Sequence, residues 1–210
     1  MRSGLQQRGT LHARGEPARR FQDSLLFFTK WLRSPLKVAA VVPSGRDLAA
    51  TMAAQVPLDG DLVVELGGGT GALTEGLVAH GVEPDRLVVI ERDPIFHRIL
   101  RERFPAAHVL KGDAQEMGRL LRDAGLGDRR VSAVVSGLPI LTFPADQQEC
   151  ILTAAFDLMD ATGIFVQFTY GFSSPVPAKR LRAWGLTARL AGHALRNVPP
   201  AHVWCYQRAG

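Results

Sequence analysis

The sequence predicts one α/β domain, in which helices cover both faces of a seven-stranded, mostly parallel sheet with an antiparallel edge strand. From residue 61 onward, short apolar runs alternate with amphipathic segments, which is the pattern of parallel strands joined by crossover helices. A glycine-rich stretch follows the first apolar run, at the position where an open α/β sheet binds its ligands. The length of 210 residues suits a single domain of this class.

The elements follow from hydrophobic periodicity and from end signals. We expect strands at 62–66, 86–90, 107–110, 131–136, 163–170, 186–195 and 201–207. We expect helices at 46–55, 71–80, 94–104, 114–124 and 145–159. Ser44 is placed as the N-cap of the first helix, and Pro94 suits the first turn of the third. The short connection at 197–200 joins the last two strands and predicts their antiparallel pairing.

Composition excludes several classes of protein. The two cysteines, Cys150 and Cys205, are far apart and form no CxxC pair, which favours a reduced intracellular chain without a zinc site. The longest uncharged stretches are interrupted by Gly, Pro, Gln or Ser and fit buried strands better than a transmembrane helix. The apolar core at 25–28 is too short for a signal peptide, but the Arg-rich start leaves a mitochondrial transit peptide open.

The glycine-rich stretch after the first strand has two interpretations. Gly67-x-Gly69-x-x-Ala72 satisfies the dinucleotide-binding fingerprint of a nicotinamide enzyme. Glu65, two residues before the first glycine, and Gly71 instead complete an E-x-G-x-G-x-G pattern. This pattern resembles motif I of the S-adenosylmethionine-dependent methyltransferases, and we favour that interpretation.

Two further matches to the methyltransferases occur in the expected order. Glu91 ends the second strand, where that superfamily places the acid that binds the ribose hydroxyls. Asp113 follows the third strand, where an Asp contacts the adenine amino group, although an Asp before a helix is also a common N-cap. The resemblance implies a Rossmann-like class I fold and these cofactor-binding residues: Glu65, Gly67, Gly69, Thr70, Gly71, Glu91, Arg92, Asp113, Ala114 and Ser136.

The fourth strand ends in Ser136-Gly137-Leu138-Pro139, where amino-directed methyltransferases carry a polar residue followed by a proline-containing turn. Transfer requires an uncharged nitrogen whose lone pair points at the methyl group, so orientation of the amine supplies much of the catalysis. Ile140 replaces the aromatic residue that stacks on a flat base in the nucleic-acid enzymes. This replacement argues against an adenine substrate.

The wider pattern resembles the bacterial phospholipid N-methyltransferases, which are relatives of the rRNA adenine dimethylases. The matching residues are Phe27-Phe28-x-x-Trp31-Leu32-Arg33-x-Pro35, the stretch 40–44, Ser136–Pro139 and Phe143-Pro144, and the resemblance spans about residues 21–208. It implies successive methylation of phosphatidylethanolamine towards phosphatidylcholine, with S-adenosylmethionine as cofactor, S-adenosylhomocysteine as product and no metal. The alternatives are an rRNA or other nucleic-acid amino (adenine N6-type) methyltransferase and a nonenzymatic lipid- or RNA-binding module.

The resemblance also implies an acceptor site. We assign Ser136, Leu138, Pro139 and Tyr170 to it as catalytic residues. Tyr170 ends the fifth strand, and its ring attracts the quaternary cation that forms as methyl groups accumulate; packing of the sheet's end is the alternative role. Arg180, Arg182 and Arg196 are candidates for the lipid phosphate.

The excess positive charge is confined to the N-terminus. Residues 1–37 hold eight basic and two acidic side chains, a net +6, whereas the rest holds 17 basic and 18 acidic ones, a net −1. The same segment predicts an amphipathic helix with an apolar stripe, ended by Pro35. We therefore expect a membrane-binding segment at 1–37 and a methyltransferase domain at 38–210. The expected membrane-binding residues are Arg20, Phe21, Leu25, Phe28, Lys30, Trp31, Leu32 and Arg33.

A basic amphipathic helix typically lies in the surface of an anionic bilayer. We therefore expect a protein that is cytoplasmic and peripheral on the inner face of the cell membrane, with neither nucleic acid nor an obligate protein as partner. Packing of the aromatic stripe on the domain is the alternative for this helix.

Overall fold

The chain is described by a computed structural model that covers residues 43–197 and 199–210. Its seven strands are β1 (Leu62–Leu66), β2 (Leu87–Glu91), β3 (His108–Lys111), β4 (Val131–Ser136), β5 (Met159–Thr169), β6 (Leu186–Ala194) and β7 (Ala201–Arg208). Its helices are α1 (Pro43–Ala53), α2 (Ala72–His80), α3 (Pro94–Arg103), α4 (Met117–Asp123), α5 (Ala145–Leu158) and α6 (Ala178–Ala183). The predicted membrane-binding segment, including all eight of its named residues, lies outside the described residues.

The strands form one sheet in the order β3-β2-β1-β4-β5-β7-β6. Strands β1 to β5 pair in parallel, and β7 runs antiparallel to both β5 and β6. The predicted α/β architecture, with an antiparallel pairing at one edge of a mostly parallel sheet, is confirmed. Because β6 is parallel to β5, the loops that follow β1 to β6 all lie at one edge of the sheet, which we call the carboxyl edge.

The core has two layers, one on each face of the sheet. Alternate residues of β1 point into different layers. Leu62, Val64 and Leu66 pack with α4 and α5, whereas Val63 packs with α1, α2 and α3. Since both faces are covered, β1 is buried at every position, Glu65 included. An ionisable side chain buried near the end of such a strand requires a functional explanation.

Three predicted elements differ from the structure by more than two residues at one end. Helix α1 begins at Pro43 rather than at residue 46. The segment 114–124 is a 3₁₀ turn at Ala114–Glu116 followed by α4, because Asp113 caps the turn instead of a continuous helix. Strand β5 begins at Met159 rather than at residue 163, since Met159 already pairs with Val131.

Helix α6 was not predicted. Only Leu181 of its six residues is buried, so the sequence shows no helical periodicity there. Within residues 43–197 and 199–210, we find no helix with both the length and the apolar character that a bilayer-spanning segment requires.

Helices α1 and α2 pack closely because Gly76 faces α1. A Cβ atom at Gly76 would lie 2.8 Å from the Ala49 Cβ and 3.1 Å from the Ala49 carbonyl carbon. Such contacts are too short unless the helices move apart. Helix α1 is therefore held against the domain by backbone-to-backbone contact.

We expect Gly76→Ala to destabilise the protein by about 1–3 kcal/mol, because overpacking outweighs the higher helix propensity of Ala. Urea unfolding measures the change. Gly118→Ala on α4 is the matched control, since its Cβ would meet only ordinary contacts, at 3.5 Å from Arg122 Nη1 and 3.8 Å from Leu158 Cδ2. The control should leave stability unchanged or raise it, and equal effects of the two variants would contradict the packing argument.

Candidate functional site

The turn between β1 and α2 needs glycine. Gly67, Gly69 and Gly71 have φ values of +76°, +52° and +87°, in the left-handed region that other residues rarely adopt. Gly68 is required for a different reason: a Cβ there would lie 2.5 Å from Val89 Cγ1. The turn therefore exposes backbone rather than side chains at the carboxyl edge, which suits close approach of a ligand.

Glu91 connects this turn to the next one along the sheet. Its Oε2 accepts a hydrogen bond from the Gly69 N–H at 2.9 Å, and its Oε1 accepts one from the Asp93 N–H at 2.7 Å. Asp93 in turn caps α3 by accepting from the Ile95 N–H at 2.8 Å. A carboxylate has about four lone-pair sites, so Glu91 holds both turns and keeps capacity for the predicted ribose hydroxyls.

Glu65 is a fully buried carboxyl group at the end of β1. Neither of its oxygens makes a hydrogen bond of good geometry within the described part of the chain, and the same holds for the neighbouring, equally buried Thr74 hydroxyl. Burial raises the pKa of Glu65 to about 8; weak hydrogen bonding from the side chain and backbone of Thr74 opposes the shift, and the Glu91 charge adds to it. This pair of acids lies where a positively charged ligand group would relieve both burial and repulsion.

The remaining predicted cofactor residues lie along the carboxyl edge. The Thr70 carbonyl accepts from the Arg103 guanidinium. Asp113 accepts from the Gln115 N–H at 3.0 Å, as an N-cap, and faces the exposed Arg92 across 3.5 Å. Ala114, directly after Asp113, is buried. The capping role of Asp113 is thus present in the structure and leaves its second oxygen directed towards Arg92.

The predicted acceptor turn, Ser136–Pro139, is joined directly to the glycine turn. The Gly137 N–H donates to the Leu66 carbonyl at 2.8 Å. A Cβ at Gly137 would lie 2.9 Å from the Gly67 carbonyl oxygen, so the two backbones touch there. The Ser136 hydroxyl is fully buried and accepts from the Leu138 N–H at 3.3 Å. Cofactor and acceptor turns therefore form one unit.

The backbone carbonyls of Leu138 and Pro139, in the acceptor turn, already accept hydrogen bonds. The Leu138 oxygen accepts from Gln167 Nε2 at 3.0 Å and from the Ile140 N–H at 2.9 Å. The Pro139 oxygen accepts from the N–H of Thr142 at 2.9 Å and from its hydroxyl at 2.8 Å. Since a carbonyl oxygen has two lone pairs, these two residues shape the turn and contribute side-chain surface rather than free acceptors.

Leu138 and Pro139 line a small pocket of about 30 Å³ together with Ile140, Leu141, Phe168, Thr169 and Tyr170. The structure thus brings the acceptor turn together with Tyr170, as the sequence predicts. The Tyr170 ring meets Phe168 edge-to-face, with ring centroids 5.6 Å apart. Burial raises the pKa of Tyr170, against the effect of a hydrogen bond with Asn197, so its hydroxyl stays neutral at physiological pH. No lining residue carries a charge.

Sequence reasoning did not identify Gln167 as a site residue. It pairs in register with Ser136, and its side chain is almost fully buried. Its Nε2 donates to the Leu138 and Phe168 carbonyls, and its buried Oε1 has no hydrogen bond within the described residues. A glutamine inside the otherwise apolar run at 163–168 is the signal that could have found it.

Of the three arginines considered for a lipid phosphate, Arg180 is bonded to a residue that supports the end of the acceptor turn. Its Nη1 donates to Gln148 Oε1 at 3.1 Å, and Gln148 Nε2 donates to the carbonyls of Ile140 at 2.9 Å and Phe143 at 3.1 Å. Arg182 is exposed on α6, and Arg196 is exposed after β6 with its backbone N–H bonded to Asp47. The structure therefore brings only Arg180 into contact with the network that supports the turn.

Comparison with known proteins identifies the family. The ornithine lipid N-methyltransferase of Singulisphaera acidiphila is 35% identical to the chain over 153 residues, which span 70% of the chain and 78% of that relative. The chain belongs to the bacterial lipid N-methyltransferase family. The scan against protein-family models found no match for the chain, so the family assignment depends on this relative. The resemblance drawn from the glycine and acceptor motifs of the chain is confirmed.

Solved structures show the fold of this lipid N-methyltransferase. The 1,6-didemethyltoxoflavin N1-methyltransferase of Burkholderia thailandensis superposes with a TM-score of 0.63 at 16% identity, covering 97% of the chain and 93% of that protein. The CcbJ methyltransferase of Streptomyces caelestis superposes with a TM-score of 0.60 at 18% identity, covering 82% of the chain and 92% of that protein. The magnesium protoporphyrin IX methyltransferase of Synechocystis superposes with a TM-score of 0.58 at 12% identity, covering 95% of the chain and 100% of that protein. These similarities establish the class I Rossmann-like methyltransferase fold.

The magnesium protoporphyrin IX methyltransferase of Synechocystis is bound to S-adenosylmethionine, and the residues present in this chain fit that cofactor. The glycine turn offers backbone at close approach, Glu91 would retain acceptor capacity for the ribose hydroxyls, and the buried Glu65 carboxyl would supply a counter-charge to the cationic methionine portion. When bound, S-adenosylmethionine supplies a methyl group activated by a positively charged sulfur. Within the described stretches, no group of three or more His, Cys, Asp and Glu side chains is close enough to hold a metal ion.

Glu65→Gln should stabilise the cofactor-free protein while weakening S-adenosylhomocysteine binding. The raised pKa means that the folded protein retains a proton that the unfolded chain releases at lower pH, so wild-type stability falls as pH rises from about 4.5 to about 8. The Tm difference in favour of the variant should therefore grow between pH 5 and pH 8. Calorimetric titration should show wild-type affinity increasing over pH 6–8 and a flat profile for the variant.

Glu75→Gln is the control, because Glu75 lies on the same helix as Thr74 but is exposed, with a surface ion pair to Arg103 at 3.3 Å. Glu75→Gln should change neither the pH dependence of the Tm nor that of S-adenosylhomocysteine affinity. If the affinity for S-adenosylhomocysteine depended on pH in the same way in wild type and in Glu65→Gln, Glu65 would not meet the cofactor's positive charge.

Proposed function

We propose that the protein transfers methyl groups from S-adenosylmethionine to the primary amine of a membrane lipid. The observation that carries this proposal is the joining of an acid-lined cofactor turn to an uncharged acceptor pocket in a chain of the lipid N-methyltransferase family. Phosphatidylethanolamine is the acceptor implied by the sequence resemblance, with successive methylation towards phosphatidylcholine.

The uncharged pocket accounts for deprotonation of the amine. An aliphatic ammonium has a pKa of about 10 in water, and an apolar surrounding disfavours its charged form. The pocket lining contains no carboxylate that would hold the ammonium, and Tyr170 remains a neutral phenol. The entering amine therefore loses its proton to solvent and presents a lone pair to the cofactor turn, which touches the acceptor turn at Gly67 and Gly137.

Ornithine lipid is the second candidate acceptor, because the relative that identifies the family is named for it. Ethanolamine and ornithine headgroups share a primary amine close to an anionic group, so the same pocket chemistry serves both. Arg180 supports either substrate, as a cation beside the acceptor turn.

We further propose that the protein works as a peripheral protein on the cytoplasmic face of the membrane, with residues 1–37 as its anchor. The support is the net charge of +6 in this segment, together with its apolar stripe. Anionic lipid contributes about 1 kcal/mol per nearby Lys or Arg, and salt screens that attraction.

Methyl transfer from labelled S-adenosylmethionine, offered in parallel to vesicles of phosphatidylethanolamine, vesicles containing ornithine lipid and rRNA, tests the acceptor. We expect label in lipid, decreasing as salt is raised. Label in only one lipid arm decides between the two headgroups. Label in rRNA alone would overturn the proposal in favour of the adenine-directed alternative.

Substitution of Tyr170 tests the acceptor pocket. Tyr170→Phe keeps the ring and should retain activity, whereas Tyr170→Ala should reduce the later methylations most, because a quaternary or nearly quaternary cation gains about 0.5–2 kcal/mol from an aromatic face. The measured quantities are the yields of singly, doubly and triply methylated lipid. S-adenosylhomocysteine affinity, the folding control, should be equal in both variants, and unchanged yields in both would remove Tyr170 from the site.

A further inference from the structure

The most exposed large apolar side chains lie at the carboxyl edge. Phe172 is 82% exposed and Leu195 is 73% exposed, against 45% for Ile95, the next among the described residues. Phe172 follows β5, Leu195 follows β6, and the partly exposed Leu141 follows β4. Because these three strands are parallel, the three loops are neighbours at one edge of the sheet.

Ring contacts tie two of these loops together. The Phe172 ring lies edge-on to His202, the second residue of β7, with centroids 5.4 Å apart. His202 pairs in register with His193 on β6, with ring centroids 5.0 Å apart. Leu195 comes two residues after His193, directly after the end of β6, so the loop that carries Leu195 begins beside the rings that contact Phe172.

The charge on these loops has one sign. Residues 137–145, 171–185 and 193–200 contain no Asp or Glu, although the domain as a whole is close to neutral. The same stretches contain four basic residues, Lys179, Arg180, Arg182 and Arg196, all of them exposed. The Asp47 carboxylate of α1 is bonded to the Arg196 N–H, and Asp146 follows the first of these loops, but every charge on the loops themselves is positive. Exposed apolar side chains on loops that carry only cations complement an anionic lipid bilayer, and a folded protein partner would not require that combination.

The position of the pocket adds a geometric requirement. Leu141 lines the acceptor pocket and is itself partly exposed, so this surface borders the pocket. An amine carried on a lipid headgroup reaches the pocket only if this edge of the protein touches the bilayer.

We propose that the loops after β4, β5 and β6 form a bilayer-docking surface, in which Phe172 and Leu195 insert between headgroups while Lys179, Arg180, Arg182 and Arg196 face anionic lipid. The proposal rests on the proposed lipid substrate, and it places membrane contact on the domain itself, in addition to residues 1–37. Docking by this surface presents the pocket to the headgroups that it methylates.

The test uses the full-length chain with Phe172→Ser and Leu195→Ser combined. Vesicles of phosphatidylethanolamine and phosphatidylglycerol are sedimented with the protein, and the partition coefficient is measured. We expect about a tenfold or greater loss of partitioning, because two apolar side chains no longer leave water. Phe172→Leu with Leu195 intact should retain partitioning. Leu58→Ser, at the opposite edge of the sheet and 44% exposed, is the matched control and should have no effect.

A second measurement separates docking from catalysis. Methylation of a monomeric short-chain aminolipid, below its micelle concentration, should be unchanged in the double variant. Failure of wild type to methylate any lipid while the vesicle result holds would contradict the proposed function and leave docking supported. Equal vesicle partitioning of wild type and the double variant, or an equal loss in Leu58→Ser, would overturn the docking surface.

Discussion

The burial of two carboxyl groups beside one turn is the constraint on which the rest of the site depends. Glu65 is fully buried with no hydrogen bond of good geometry in the described residues, and its pKa of about 8 reflects burial and the nearby Glu91, opposed by Thr74. A protein selected for stability alone would have an apolar residue at this position of β1. The destabilisation caused by burying Glu65 is consistent with a ligand that brings positive charge. The methionine portion and the sulfonium of S-adenosylmethionine supply such a charge. Glu91 adds rigidity, because its two oxygens hold the backbone of the turns that follow β1 and β2.

The acceptor half has the opposite electrostatic character, although it touches the cofactor half. Backbone contact between Gly67 and Gly137 joins the two turns, yet the acceptor pocket is lined only by uncharged residues. A charged sulfur is favoured on one side of this contact and a neutral nitrogen on the other. Hydrogen bonds from Gln167 and Thr142 occupy the carbonyls of Leu138 and Pro139, so the turn keeps its shape before any substrate arrives.

Local patterns were sufficient to predict the sheet and the cofactor turn. Strands β1 and β4 have their predicted bounds, because uninterrupted apolar runs and glycine punctuation are local signals. Helix α6 and the early start of β5 were missed because both depend on pairing or packing with distant residues. The same applies to the site: Gln167, the Arg180–Gln148 contact and the Phe172–His202–His193 series join residues far apart in sequence. Only the fold brings such residues together.

We propose above all that this chain methylates the amine of a membrane lipid. The most direct measurement is mass spectrometry of total lipid from cells that lack N-methylated aminolipids, after expression of the full-length chain. We expect aminolipid species heavier by successive methyl increments, which disappear when a Glu65→Gln, Glu91→Ala double variant is expressed at the same level. An unchanged lipid profile, with the wild-type protein present, folded and able to bind S-adenosylhomocysteine, would contradict this proposal.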